Sequence, residues 1–432
     1  MTMMQHSPNC HHSLDGILLS DTGVQFSLDI TGANRFTLCF DLHCGPLTGL
    51  NQALVRVEFE EPPEDLKQMG FVHSHHGWWY RYIPTTAGTV SIDWEFSQAE
   101  AFAGVVHFNV QTWGASDLVR LKSFVALTSP SVAGLSERYA DSRDAGRYPP
   151  KIWPSISEFL AAPMLESSAH IVPVNDLLLE FLVVDRGSPA LFCFLHGNAP
   201  RSEVFKLPVF SGVSMMSNVN SSILIFSDPA LLLDPSLTIA WHVGTSTTPL
   251  QYVYELITRK VRSVLAPERL VFWGGSGGGF ASLYLSTKFA DSTAFVWNPQ
   301  TSILAFEEMA VRNFGRVCFG TDDLAELQKR LDGVAVADLG DAYKGIGNRV
   351  IYLQNFTDWH TDHHLKPFLE KASLPSFTGS EYWGWLEDRF FLHLGSLAQG
   401  HEPPPKEAIN AFLVKLAQSG PDEIETVKVS GH

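Results

Sequence analysis

The chain has 432 residues, of which 45% are hydrophobic and 12% aromatic, with a formal net charge of −16. That length and composition suit a well-packed globular protein of two domains. An acidic surface does not attract phosphate backbones, which argues against nucleic acid as a partner.

The opening "MTMMQHSPNCHHSLDG" lacks both the basic and the apolar region of a secretory signal. No stretch reaches the ~18–20 apolar residues of a membrane span. Five scattered cysteines do not suggest a disulfide framework, so a cytoplasmic protein with reduced thiols is expected. From about 16 to 113 the sequence reads as strand after strand, among them 35–43, 53–61, 78–84, 89–96 and 105–113. Their period-two alternation between turn residues predicts an antiparallel β-sandwich. From about 114 to 165 the chain is rich in Pro, Gly, Ser and charge and reads as connecting sequence with one short helix. Beyond 165, short apolar runs without alternation (177–185, 190–197, 222–228, 270–275, 293–298, 349–355) separate helical patterns at 250–265, 280–289, 305–314 and 408–417. Such runs suit strands covered on both faces of a mostly parallel sheet. The expected organisation is a β-sandwich domain over 1–130, a linker over 131–165, an α/β catalytic domain over 166–418 and a flexible tail over 419–432.

Between the run 270–275 and the helical pattern after it stands Gly274-Gly275-Ser276-Gly277-Gly278. This fits G-x-S-x-G in the strand-turn-helix setting of a nucleophile elbow. Side chains two before and two after the serine would collide with the adjoining strand and helix, hence the glycines. The turn lifts Oγ above the sheet and places the next N–H at a helix N-terminus, where a developing oxyanion can meet it. A phosphate-cradling turn is the competing meaning of such glycines. No GK[ST] ending and no G-x-G-x-x-G opening a first βαβ unit supports it here.

A serine in this setting needs a base and an orienting acid, in the order Ser, Asp/Glu, His at the ends of later strands. Asp358 lies just past the strand 349–355, with Asp362 as alternate and a helix N-cap as the structural meaning of Asp358. His401, in the glycine-led, proline-followed loop "LAQGHEPPP", is the expected base, with His393 in the apolar "RFFLHLGS" as alternate. The second oxyanion donor is expected after an early strand. His196-Gly197-Asn198 ends "ALFCFLHGN", so the N–H of Gly197 or Asn198 would act with that of Gly277, and His196 itself reads as structural.

With elbow, late acid, last-loop histidine and HG loop in this order, residues 165–418 resemble the α/β-hydrolase superfamily. The set "LIFSDPALLLDPSLTIAWHVGT", "WGGSGGGFASLYL", "WNPQT", "YLQNFTDWH" and "GHEPPP" is similar to a bacterial group of serine-hydrolase-like proteins that includes accessory Sec system proteins and polysaccharide-associated hydrolases. That resemblance implies an acyl-modifying enzyme acting on a glycan, or a scaffold. It does not extend to residues 1–130.

Two histidine clusters offer other chemistry. In "DWHTDHH", His360, His363 and His364 would share a helical face, and Asp358, His360 and His363 would serve a metallohydrolase. In "HSHHGWWYRY" (73–82), three histidines beside four aromatics suit zinc, a stacked sugar, or simply a strand edge over core aromatics, the last being favoured. The expected function is therefore a serine esterase that cleaves a small-molecule or glycan acyl ester through an acyl-enzyme, without cofactor. The alternatives are an acyltransferase, a catalytically weak hydrolase-fold scaffold in glycan or secretion pathways, and a metallohydrolase. The sandwich would narrow the mouth of the site, bind a polymer, or pair copies of the chain into a homo-oligomer.

Overall fold

The computed structural model describes residues 17–31, 33, 35–45, 52–60, 62–63, 65–84, 88–98, 101–113, 119–128, 148–200, 207–344 and 347–427. The N-terminal strands are β1 (Ile17–Leu18), β2 (Val24–Asp29), β3 (Arg35–Cys44), β4 (Gln52–Glu58), β5 (Val72–His73), β6 (Trp79–Pro84), β7 (Gly88–Ser97), β8 (Val105–Trp113) and β9 (Val119–Thr128). They form two wholly antiparallel sheets, β1-β9-β3-β7 and β2-β8-β4-β6-β5. Alternation supplies the shared core. Phe36, Leu38 and Phe40 of β3 and Phe96 of β7 meet Ala53, Val55 and Val57 of β4 and Val106, Phe108 and Val110 of β8. β9 falls in the stretch read from 114 as connecting sequence. Its own alternation of Val119, Arg120, Leu121 and Lys122 is short, and it is the ladder along β3 that fixes it as a strand.

The second part is one mixed sheet of ten strands flanked by helices. Its strands are β10 (Pro150–Ile152), β11 (Ser168–Val174), β12 (Leu177–Val184), β13 (Ala190–Leu195), β14 (Ser222–Ser227), β15 (Arg269–Gly275), β16 (Thr293–Trp297), β17 (Arg349–Asn355), β18 (Tyr382–Glu387) and β19 (Phe390–Gly395). The order is β10-β11-β12-β14-β13-β15-β16-β17-β19-β18, parallel from β14 through β19. β13, β14, β16 and β19 are buried along their whole length, which is why their sequences show no alternation. The helices are α1 (Ile156–Ala161), α2 (Gly212–Met215), α3 (Gln251–Leu265), α4 (Ser276–Ser286), α5 (Glu308–Phe319), α6 (Leu324–Leu331), α7 (Lys366–Lys371) and α8 (Lys406–Ser419). α1 lies within the stretch 131–165. Ser155 caps it, accepting from the Glu158 N–H at 3.2 Å.

The two parts meet where β7 faces α1. Ser155 Oγ donates to Glu95, and Arg35 pairs with Glu95 at 3.4 Å and with Glu158 at 2.6 Å. The tail departs from expectation. Residues 421–426 form a 3₁₀ turn whose Ile424 is fully buried in the cluster that holds Phe412 and Leu416 of α8, and Lys415 pairs with Glu423. Two buried apolar residues, Ile424 and Val427, and two ion pairs, the second between Arg349 and Asp422, dock a segment whose composition reads as loose. The described cysteines, Cys39, Cys44, Cys193 and Cys318, are all buried. Among the described residues no helix is long and apolar enough to cross a membrane.

Candidate active site

β13, β15, β16, β17 and β19 run parallel side by side, so the loops that leave their C-terminal ends share one edge of the sheet. Open α/β sheets carry ligands on that edge. The loops bring Gly197, Ser276, Gln300, Asp358 and His401 there.

Ser276 follows β15 directly, opens α4 and has a φ of +53°. A non-glycine residue held in the left-handed region costs of order 1–3 kcal/mol and persists only where its surroundings enforce it. The enforcement is steric. A Cβ on Gly274 would stand 2.5 Å from the carbonyl oxygen of Leu195 in β13, and one on Gly278 closer still to the same atom. The glycines thus let the turn press against the neighbouring strand.

Ser276 Oγ lies 3.0 Å from His401 Nε2, and His401 Nδ1 lies 2.7 Å from Asp358 Oδ2. An ionised carboxylate only accepts, so Nδ1 carries the ring proton and Nε2 is left to accept the serine hydroxyl. Burial alone would raise the Asp358 carboxyl. The hydrogen bond from His401, together with the ring and the backbone N–H of His360, outweighs burial and holds it below the usual carboxylate range. The side chain of Asp358 also accepts from the His360 N–H at 3.1 Å through its other oxygen, in the manner of a turn-capping residue.

The alternates lie elsewhere. Asp362 is exposed and pairs with Lys366 at 2.5 Å. His393 is buried inside β19, paired with Leu353 and Trp383, its ring 4.5 Å from that of Trp383. The histidine run does not present one face. Residues 361–365 wind as a single π turn, which buries His360 and His364 with rings 4.5 Å apart and leaves His363 exposed against the Trp359 carbonyl. The metal trio Asp358, His360 and His363 is therefore not assembled. Asp358, His360 and His401 do bring metal-capable atoms within 4.8 Å of one another. In this arrangement Asp358 and His401 are hydrogen-bonded to each other, and His360 Nδ1 faces the Asn298 carbonyl at 3.1 Å. The 73–82 cluster sits on the edge pair β5 and β6. His73, His75 and His76 are exposed there, as is Tyr82, while Trp79 is half-buried against the sandwich core.

Contacts of two buried histidines set the HG loop. Nε2 of His196 accepts from the Asp228 N–H at 3.0 Å, so Nδ1 is protonated and donates to the Gly197 carbonyl at 2.8 Å. His242 Nε2 donates to the His196 carbonyl at 3.0 Å, and its Nδ1 faces Tyr254 Oη at 3.2 Å. Burial pushes both histidines down to about 4, which keeps them neutral in these tautomers. With carbonyls 196 and 197 held by the rings, the N–H groups of Gly197 and Asn198 point the opposite way, because a trans peptide directs its N–H opposite its C=O. Gly197 lies against the elbow: a Cβ there would be 3.3 Å from Ser276 Cβ and 3.4 Å from the Gly277 nitrogen.

Several residues with no role assigned from the sequence complete the site. Gln300 Nε2 donates to Ser276 Oγ at 3.1 Å, and Gln300 Oε1 accepts from the Trp241 indole. Trp241, His242 and Asn298 join Ser276 in the left-handed region, with φ of +52°, +57° and +42°. Asn355 Nδ2 donates to the carbonyls of Gly400 and Glu402, each at 2.8 Å, and Asn298 Nδ2 to that of Glu402 at 2.9 Å, so both neighbours of His401 are fastened. The available signal is a cluster of amides, "WNPQT" and "LQN", just past the apolar runs of β16 and β17.

No protein-family model matches the chain, and no curated protein matches it in sequence. Among solved structures it is similar to the Glycosylation Associate Protein (Gap123) complex from Streptococcus agalactiae, at 12% identity over 94% of this chain and 69% of that one, with a TM-score of 0.42. The capsule O-acetyltransferase of Neisseria meningitidis serogroup A is 14% identical over 56% of this chain and 94% of its own, TM-score 0.42. The acylaminoacyl peptidase of Pyrococcus horikoshii is 13% identical over 60% of this chain and 42% of its own, TM-score 0.40.

Proposed function

We propose that the protein is a serine hydrolase of α/β-hydrolase type that cleaves a carboxylic ester. The observation that carries this is the unbroken hydrogen-bonded chain from Ser276 Oγ through His401 to Asp358, with the serine on a left-handed turn between strand and helix. Ser276 attacks the acyl carbonyl while Nε2 of His401 takes the hydroxyl proton. Asp358 fixes the tautomer and balances the imidazolium. The N–H of Gly277, with that of Gly197 or Asn198, receives the oxyanion. The tetrahedral intermediate expels the alcohol, which takes the proton from His401, and water activated by the same nitrogen releases the acid.

The test is turnover of a p-nitrophenyl ester together with fluorophosphonate labelling. Wild-type protein should label at Ser276 and release p-nitrophenol, and Ser276→Ala should do neither. A folded Ser276→Ala variant with wild-type turnover disproves the assignment. Failure of the folded wild-type protein to label favours a scaffold. Adding acceptor alcohols and following ester exchange against acid release separates acyl transfer from hydrolysis. Turnover that survives EDTA speaks against the metallohydrolase.

A further inference from the structure

Gln300 stands three residues beyond β16 and is fully buried. It is tied to Ser276 twice: its backbone N–H donates to the Ser276 carbonyl at 3.1 Å, and its side-chain Nε2 donates to Oγ at 3.1 Å. The direction of the side-chain amide is dictated by its other contact. An indole N–H can only donate, so the end of the amide that faces Trp241 Nε1 must be the oxygen, and the NH₂ end must face the serine. Trp241 cannot easily turn away. It is 1% exposed, its backbone is left-handed, and its ring stands edge-on to Phe314 at 5.1 Å and Phe306 at 5.9 Å.

Oγ is therefore held between an acceptor and a donor. Its proton is directed to His401 Nε2 at 3.0 Å, and a lone pair receives the Gln300 N–H. A fixed donor in a buried site stabilises an oxygen most when that oxygen gains negative charge.

We propose that Gln300 is a catalytic residue, a side-chain amide that donates to Oγ of Ser276 as its proton leaves and then to the oxyanion formed on the acyl carbon. This rests on Ser276 being the nucleophile. In the step concerned, the Oγ–H bond breaks with its proton moving to His401 Nε2, and the Oγ–C bond forms. The carbonyl π pair moves onto the carbonyl oxygen, which shares the acyl carbon with Oγ and so lies within reach of the same NH₂ group. When that pair returns, the C–O bond to the alcohol breaks and the alcohol leaves with the proton from His401.

The test compares wild type, Ser276→Ala, Gln300→Met, Trp241→Phe and the Gln300→Met/Trp241→Phe double variant. The readouts are kcat and KM on a p-nitrophenyl ester and the thermal midpoint. Gln300→Met keeps the length of the side chain without the amide, and should lower kcat by about 10²-fold or more with KM within about threefold. Trp241→Phe frees the amide to turn and should cost less. The double variant should be no slower than Gln300→Met, because the indole acts through the amide. A folded Gln300→Met with kcat near wild type, beside an inactive Ser276→Ala, overturns this role alone. An active Ser276→Ala overturns the nucleophile and this role together. Should Gln300→Met not fold, an unchanged kcat in Trp241→Phe overturns the proposal.

Discussion

The rings of His360 and His401 lie with their centres 4.2 Å apart, and both residues bond the same carboxylate, His401 through Nδ1 and His360 through its backbone N–H. Burial, and then the nearness of His401, lower His360 to about 4, so a neutral ring backs the proposed base. Replacing His360 by Ala removes that backing while leaving the backbone donor to Asp358. The expected result is a fall in kcat of about tenfold to a hundredfold, since small displacements of a catalytic group cost that much. A folded His360→Ala enzyme with unchanged kcat would show that Asp358 alone orients His401.

Asn355→Ala should weaken both stability and turnover. The side chain donates to the carbonyls of Gly400 and Glu402 and accepts from the Ala398 N–H at 3.0 Å. Loss of a buried partner of this kind costs about 1–3 kcal/mol, measurable as a shift of the urea midpoint. Asn355→Asp should be worse at neutral pH, because a carboxylate would face two carbonyl oxygens. Equal stability of wild type and Asn355→Ala would refute the fastening of this loop.

Gly278→Ala tests the steric account of the elbow. The new methyl group would run into the backbone oxygen of Leu195, which cannot rotate away as a side chain could. Overpacking of this kind costs typically about 1–3 kcal/mol, so the thermal midpoint should drop and p-nitrophenyl ester turnover with it. A variant as stable and active as wild type would mean the strand and helix have room to part.

Stability should fall on acidification from pH 6.5 towards pH 4. Burial lowers His170, His196, His242 and His360 to about 4 and His364 to about 3. Between those values and the ordinary histidine value near 6.5 the unfolded chain binds more protons than the folded one, so each proton taken up favours unfolding. The lowered Asp358 adds a further loss only below the ordinary carboxylate range, as pH falls through its folded value. Denaturant midpoints measured from pH 8 to pH 4.5 should be level at first and decline below about 6.5. A midpoint that stays level across the whole range would contradict the neutral, buried state of these rings.

What the sequence made legible was whatever a single segment requires. Buried parallel strands need apolar runs without alternation, and β13 to β16 show them. A turn pressed against a neighbouring strand needs Gly274 and Gly278. Chain order and loop setting point to Ser276, Asp358 and His401 as candidates, and these three side chains form one hydrogen-bonded row. Residues whose part depends on distant partners stayed hidden. Gln300 has no meaning without Trp241, 59 residues earlier, and Asn355 none without the loop at 400. An ordinary helical period puts His360, His363 and His364 on one face, and the π turn of the chain separates them. The docking of Ile424 and Val427 gives no signal in the sequence, because two apolar residues in a short polar tail are too few to set a period.

Four left-handed residues, Trp241, His242, Ser276 and Asn298, lie in the segments that follow β14, β15 and β16. None is a glycine, so each would relax if its neighbours let go. On warming, this corner of the molecule has more to gain from loosening than the apolar interior beneath it. The proposed ester turnover should accordingly fade at temperatures where circular dichroism still reports an intact fold.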